Sequence, residues 1–587
     1  MEVNLLNKAA IYHESIDNMA YPLDNDTLRV RLITAKNNLK NVQIVYGPKF
    51  DFYKDPVLTK DMELAGSDQT HDYFSVKIHL DDPRFRYHFL LEDKKGNKYW
   101  YNEKGFFENR PRGHEAGFFQ YPIITNYEKF ERPDWLQNAV IYQIFPDRFK
   151  NGNPEINPDE VEKWGNTPGH YSFFGGDLEG IIEKLDYLTE LGINAIYLTP
   201  IFESDSNHKY NIADYYKIDK NFGDLSKAKE LVQKAHERDI KVILDAVFNH
   251  CDINFFAFQD LIKYGEKSRY KNWFFYEKLP IKTEKPINYT TFATQVKSMP
   301  KLNTSNTEVQ QYLLNVVKYW METLNIDGWR LDVSDEVHMD FWRKFRKTVK
   351  DIKKEAVVIG EIWHSARKWL RGDRFDTVMN YPFNWAVMKF FGTNEIGVEK
   401  FISLIVKNYY HYREETSHVL LNLLSSHDIP RIMEFCKNTK QVKLAVLFMM
   451  TFPGIPMVYY GDELGLKGGK DPDNRRCMPW DQVENSELLA YYKKLIELKK
   501  NISPLYRGDF RVILQDEAKN VLVFKRRSKY KTVYIVMNNS HISQNITFDI
   551  ERSGEYTELL SNTVTESDNG TLTVQLHDYE GKVFIHP

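Results

Sequence analysis

INAIYLTPIF (193–202), LSKAKELVQKAHERD (225–239) and IKVILDAVFNH (240–250) follow one another as a near-continuous apolar run, a helix and a second apolar run. Strands that read apolar throughout, instead of alternating, are buried on both faces, as parallel strands flanked by helices are. The unit repeats in both directions. Upstream stand strand AVIYQIF (139–145) and helix GIIEKLDYLTELG (180–192), which ends at Gly192. Downstream, helix TEVQQYLLNVVKYWMETLN (307–325) precedes strand IDGWRLDV (326–333), and helix HMDFWRKFRKTVKDIKK (338–354) precedes strands AVVIGEIWH (356–364) and DTVMNYP (376–382). SHVLLNLLSSHD (417–428), helix QVKLAVLFMMTF (441–452), strand IPMVYYGDE (455–463) and helix SELLAYYKKLIELKK (486–500) complete the set. Eight such strands predict an α/β fold, a closed (β/α)₈ TIM barrel and not an open sheet.

The barrel domain is expected over residues 126–503, with residues 251–306 as a small subdomain inserted after strand three. Residues 1–125 read as short β runs, TLRVRLITA (27–35), NVQIVYG (41–47), YFSVKIHL (73–80), RYHFLLED (86–93) and KYWYNE (98–103). Turn-like KNNLKN (36–41) and DKKGNK (93–98) separate them, the pattern of an N-terminal β-sandwich. Residues 504–587 return to short strands and predict a second, C-terminal β-sandwich.

Composition narrows the function classes. The 587 residues carry a formal charge of −3 and no concentrated basic tract, which argues against a nucleic-acid partner. Three cysteines, Cys251, Cys436 and Cys477, make no disulfide framework. The first residues lack the basic start and apolar run of a signal peptide. No segment approaches the roughly 18 apolar residues of a membrane span. A cytoplasmic protein is expected.

Barrel active sites form where strands end and loops begin. Four predicted strand ends here are polar: Asp245, Asn249 and His250; Arg330 and Asp332; Glu361 and Trp363; His427 and Asp428. Residues i and i+2 of a strand share a face, so Arg330 points with Asp332, and Glu361 with Trp363. An arginine beside a carboxylate favours its charged form, which suits a nucleophile. A carboxyl against an aromatic wall and a second carboxylate is pushed up, which suits a proton donor. Adjacent His427 and Asp428 cannot both face inward on a regular strand, so the chain must bend there. A metal-dependent hydrolase would need a pair such as His-x-His at a strand end, and the sequence has none.

DAVFNH (245–250), GWRLDV (328–333), GEIWH (360–364) and SSHD (425–428), in that order, resemble the four signature regions of the α-amylase family of glycoside hydrolases. MPKLN (299–303) and YYGDELGLKGGKDPDNRRCMPW (459–480) look like its neopullulanase, cyclomaltodextrinase and maltogenic amylase branch, and argue against an oligo-1,6-glucosidase. All three carboxylates are present, unlike in non-catalytic sugar-binding relatives. The resemblance implies a retaining α-glucan hydrolase with catalytic Asp332 as nucleophile, Glu361 as acid/base and Asp428 stabilising the transition state. It implies substrate contacts from Tyr210, His250 and His427 at the cleavage site. Arg330 would orient Asp332, with support from Asp245. Phe292 and Trp363 would line the acceptor side, and Asp471 and Arg475 the far donor sugars.

The resemblance also implies a structural Ca²⁺ after the first strand, on Asn151, Asn153 and Asn157 of NGNPEIN and on Gly175 and Asp177 of FFGGDL. These are oxygen ligands, which calcium prefers. Relatives often have an aspartate where Asn153 stands, so the site should be weaker here. VSDE (333–336) replaces the branch's usual VANE near the acceptor side, which bears on bond preference and sugar transfer. A homodimer through the N-terminal domain is a further implication.

Overall fold

The computed structural model describes residues 6–50, 57–113, 117–125 and 132–586. The eight apolar runs form parallel strands: Ile141–Ile144, Ala195–Leu198, Lys241–Ala246, Gly328–Leu331, Val357–Gly360, Thr377–Val378, Leu421–Leu423 and Ile455–Tyr459. The eighth returns to pair with the first, Met457 opposite Ile141. A parallel bridge from Met379 to Leu421 joins the sixth to the seventh and closes the ring. Every residue of these strands is buried except Lys241, which explains why they read apolar throughout.

Side-chain caps set where the outer helices begin. Asp177, Asp224, Asn306, Asn438 and Ser486 accept backbone N–H bonds at the starts of Leu178–Glu183, Leu225–His236, Thr307–Leu324, Thr439–Thr451 and Glu487–Asn501. Gly192, at φ 92°, ends Leu185–Leu191 in the left-handed conformation a glycine adopts without strain. The single helix expected over 180–192 is two, broken at Lys184, whose backbone (φ −106°, ψ 8°) leaves the helical region. The strand expected over 376–382 is only Thr377–Val378, and its last two residues open helix Tyr381–Val387; helix Val398–Tyr410 lies where no element was expected. The first of these helices is capped by Asn380 with a proline in its first turn.

After the third strand, the inserted segment holds helix Phe256–Tyr264 and isolated bridges Phe274–Leu302, Tyr276–Tyr289 and Thr291–Pro300. Among the described residues no helix is long and apolar enough to cross a membrane, and the three cysteines are buried and free.

The chain divides into two compact units. One comprises Met1–Glu131, Ile396–Ser417 and Phe510–Lys525. Its N-terminal part is an immunoglobulin-like pair of antiparallel sheets. Thr27–Ala35 and His71–His79 are central in one, Leu39–Pro48 and Phe85–Asp93 in the other. Leu28, Val30 and Leu32 meet Val42, Ile44, Phe89 and Leu91 in one core. Helix Val398–Tyr410 packs on this sandwich through Tyr410, whose ring stacks on Tyr73 at 4.8 Å. A Cβ on Gly66 would lie 2.7 Å from the Tyr410 ring, so glycine is required at that approach.

The second unit comprises Arg132–Glu395, His418–Asp509 and Arg526–Pro587. Besides the barrel it holds C-terminal antiparallel strands. Thr532–Asn538 pairs with Gly581–Ile585, and Gln544–Asp549 with Thr571–Leu576.

Candidate active site

The third, fourth, fifth and seventh strands deliver their polar ends to one cleft of about 650 Å³. Its centre is Arg330, wholly buried. In the parallel register Asp245 stands directly opposite Arg330, and Arg330 opposite Ile359, two residues before Glu361. Nη1 donates to Asp245 at 3.1 and 3.2 Å and to Asp332 Oδ1 at 2.9 Å. Nη2 lies 2.9 Å from Glu361 Oε2, outside hydrogen-bond geometry, and 3.9 Å from Asp428 Oδ2. Four carboxylates therefore share one guanidinium.

Asp332 follows the last residue of its strand, and the chain turns sharply after it. Val333 has φ 43°, a strained conformation for a β-branched residue. That turn aims the Val333 N–H at Glu361 Oε2, 3.0 Å away. Glu361 Oε1 accepts from Trp363 Nε1 at 2.9 Å, and Trp363 stacks on Tyr381 at 4.0 Å. Asp332 Oδ2 is buried without a hydrogen-bond partner, as is His250 Nε2. Phe292 lies 4.8 Å from the His250 ring.

The seventh strand ends at Leu423, and a turn closed by a Ser426–Ile429 bridge follows. This is the expected bend, and it lets both His427 and Asp428 reach the cleft. Gln143 Nε2 donates to His427 Nδ1 at 2.7 Å, so the ring proton is on Nε2. His427 Nε2 then serves Tyr210 Oη at 2.6 Å and Asp428 Oδ2 at 3.2 Å. Tyr210 and Tyr197 both donate to Asp245 Oδ2. Arg475 holds Asp471 at 3.1 Å and donates to the His427 carbonyl at 2.9 Å.

Burial dominates the titration of these groups. It pushes Asp245 up to about 6 against the pull of Arg330. It lowers His250 to about 3 and His427 well below the usual imidazole range, so both are neutral. Burial raises Glu361, with Asp428 adding to the rise and Arg330 opposing it. Asp332 is also raised, by burial and then by Glu361, Asp245 and Asp428. The opposing pull of Arg330 does not cancel these effects, as the strand-end pattern alone had suggested it would.

Every expected catalytic and substrate-contact residue is in this cleft or hydrogen-bonded to its walls. Gln143, Tyr197 and Tyr381 were not expected there. The one signal for Gln143 was a lone amide inside an apolar strand.

The five expected calcium residues lie together after the first strand. Asn151 Oδ1 is buried without a partner, while its Nδ2 donates to Asn157 Oδ1 at 3.0 Å. A Cβ on Gly175 would fall 2.4 Å from Asn157 Oδ1, so that carbonyl segment is pressed against both amides. Asp177 accepts from the N–H groups of Gly152, Asn153 and Gly180, and Asn153 Oδ1 caps a short helical turn. Asn151, Asn157 and Gly175 fit a hard cation, whereas Asn153 and Asp177 are committed to the backbone. Among the described residues no group of three or more His, Cys, Asp or Glu could hold a metal.

A closed parallel barrel with a buried arginine among four carboxylates, walled by aromatics, defines a glycoside hydrolase. Residues 143–508 match the alpha amylase catalytic domain, 6–125 the alpha amylase N-terminal ig-like domain and 510–583 the maltogenic amylase C-terminal domain. The chain belongs to the α-amylase family, to its cyclomaltodextrinase, neopullulanase and maltogenic amylase type, and hydrolyses α-glucans. It is 44% identical over 580 residues to a cyclomaltodextrinase of Geobacillus thermopakistaniensis, covering 98% of each chain. Identity and coverage are the same against neopullulanase 2 of Thermoactinomyces vulgaris. A solved cyclomaltodextrinase superposes with a TM-score of 0.94 at 36% identity, over 99% of this chain and all of that one.

A buried carboxyl whose titration is raised on folding, as that of Asp332 is, costs folding stability at neutral pH. A carboxyl raised in the folded state is stabilising only below its unfolded value, 3.8, and that contribution is lost as pH rises through the folded value. Asp332→Asn should therefore raise the melting temperature at pH 7, with the gain disappearing below pH 3.8. An unchanged or lower melting temperature at pH 7 would contradict this account of the cluster.

Proposed function

We propose that the protein cleaves α-1,4-glucosidic bonds, and α-1,6 bonds as a second linkage, in cyclomaltodextrins, pullulan, starch and maltooligosaccharides. It does so with retention, through a glycosyl group on Asp332. The observation that carries this is the placement of Asp332 and Glu361 at the two ends of one guanidinium, each 2.9 Å from it. That suits the roughly 5 Å carboxyl separation of a retaining pair. A solved relative named cyclic α-maltosyl-(1→6)-maltose hydrolase, from Arthrobacter globiformis, supports the second linkage (TM-score 0.71, 33% identity, 78% of this chain).

In this reading the unpartnered Asp332 Oδ2 attacks the anomeric carbon while the glycosidic oxygen leaves with the Glu361 proton. Burial raises both carboxyls; in this reading the proton is on Glu361 and the charge on Asp332, the carboxyl that Arg330 hydrogen-bonds. Asp428 accepts from the ring hydroxyls and opposes the positive charge that develops on the sugar. Glu361 then takes a proton from water, whose oxygen displaces Asp332; a sugar hydroxyl in place of that water gives transglycosylation. Tyr210 faces the donor ring, Phe292 and Trp363 the acceptor, Asp471 and Arg475 the far donor sugars. Asp332→Asn and Glu361→Gln should each lower turnover of maltotriose at least ~10³-fold. A loss below tenfold would defeat the assignment.

A structural Ca²⁺ would be held by Asn151, Asn157 and the Gly175 carbonyl, where it would neutralise oxygen dipoles crowded behind the first strand. With few charged ligands the site would bind weakly. EDTA should lower the melting temperature and excess Ca²⁺ restore it, a gain of about 2–3 kcal/mol at a hundredfold excess over Kd. Curves that superpose with and without EDTA would remove the ion from this account.

The N-terminal module is proposed to pair two copies so that one copy's sandwich limits access to the other's cleft and favours small or cyclic glucans. Light scattering on the full chain should give twice the monomer mass of 69.5 kDa. A single monomer mass at micromolar concentration would exclude the pairing. The full chain is the appropriate sample, because removing residues 1–125 would strip Tyr410 of its partner Tyr73.

A further inference from the structure

Tyr171 stands at the rim of the cleft, on the segment between the first barrel strand and helix Leu178–Glu183, and lines it with His170, Asp471 and Arg475. Its side chain is 93% exposed, more than any other large hydrophobic side chain among the described residues. The backbone that carries it is fixed. Buried Asn207 donates from Nδ2 to the carbonyls of His170 and Ser172, both at 2.9 Å. Buried Arg148 donates from Nη2 to the same Ser172 carbonyl at 2.6 Å and lies 4.6 Å over the Phe174 ring. The Ser172 hydroxyl accepts from the Gly169 N–H at 3.0 Å. Two buried side chains thus pin the carbonyls on either side of Tyr171.

Isolated exposed aromatics on a protein surface need no explanation. This one differs in two respects. Its flanking peptide groups are held by buried side chains, and Arg148, which holds the Ser172 carbonyl, also donates from Nη1 to the Arg475 carbonyl at 2.7 Å, which sets the segment on the Arg475 side of the cleft. A preorganised aromatic face loses little entropy when a ligand covers it. The C–H face of a pyranose is the matching surface, since the ring offers apolar area while the phenol oxygen stays hydrated at the edge.

We propose that Tyr171 is a platform for a glucose ring on the donor side, beyond the sugars met by Asp471 and Arg475, and that it tightens binding of those oligosaccharides long enough to reach it. This rests on the α-glucan hydrolase reading above. The test is kcat and KM for maltotriose through maltoheptaose with the full-length wild type, Tyr171→Ala and Tyr171→Phe. Tyr171→Ala should raise KM by up to about tenfold for the long members, leaving kcat and maltotriose kinetics unchanged. Tyr171→Phe should retain the wild-type length dependence, because the ring and not the hydroxyl supplies the surface. Equal kinetics of wild type and Tyr171→Ala at every length, or an equal loss at every length, would overturn the platform. So would a changed solution mass of Tyr171→Ala, which would mark the ring as an interface residue. Wild-type turnover of maltotriose tests the hydrolase reading by itself. Its absence would overturn both readings, whereas a flat length profile would overturn only the platform.

Discussion

One buried positive charge organises the functional half of this molecule. Arg330 sits within 4 Å of Asp245, Asp332, Glu361 and Asp428, which come from four different strand ends. Without the guanidinium, four carboxyls in a water-poor cleft would repel one another and take up protons. With it, the cluster still carries an excess of negative character, directed at the place where a sugar becomes positively charged during bond cleavage. Only a closed ring of parallel strands in fixed register brings these ends together. Asp245 faces Arg330 across one strand pair, and Glu361 arrives from the next.

Much of this was legible because short strands obey a period of two. The pairs Arg330/Asp332 and Glu361/Trp363 each turn out to be hydrogen-bonded. The unbroken apolar runs gave the barrel for the same reason, since both faces of each strand are covered. His427 and Asp428 broke the rule, and the bend inferred from that conflict is the Ser426–Ile429 turn. What the sequence concealed depends on distance in space. Gln143 sets the tautomer of His427 from a strand 284 residues away, and Tyr381 supports Trp363 from the start of a helix that read as the end of a strand. The competition between burial and Arg330 at Asp332 was also invisible, because the strand-end motif shows the arginine but not the depth.

The neutral histidines follow from the same depth. His427 cannot be charged where it lies, so its one ring proton is committed toward Tyr210 and Asp428. Tyr210 in turn must donate to Asp245. A single hydrogen-bond direction therefore runs from Gln143 through His427 and Tyr210 to Asp245, and ends at the carboxylate that fixes Arg330. Such chains couple the positions of their side chains, because each link sets which atom of the next group is free to donate.

The cleft is nevertheless incompletely satisfied. Asp332 Oδ2, His250 Nε2 and Arg330 Nη2 are buried without hydrogen-bond partners. Each such atom costs about 1–3 kcal/mol when left unmet, and elsewhere in a protein interior three together would be hard to sustain. Here Asp332 and His250 border an open volume large enough for sugar rings, walled by Phe292 and Trp363. A ligand with apolar faces and a rim of hydroxyls satisfies both features at once. Flat aromatics lack the hydroxyls, and small polyols lack the faces. The unmet groups and the aromatic walls are together complementary to the α-glucans that the family hydrolyses.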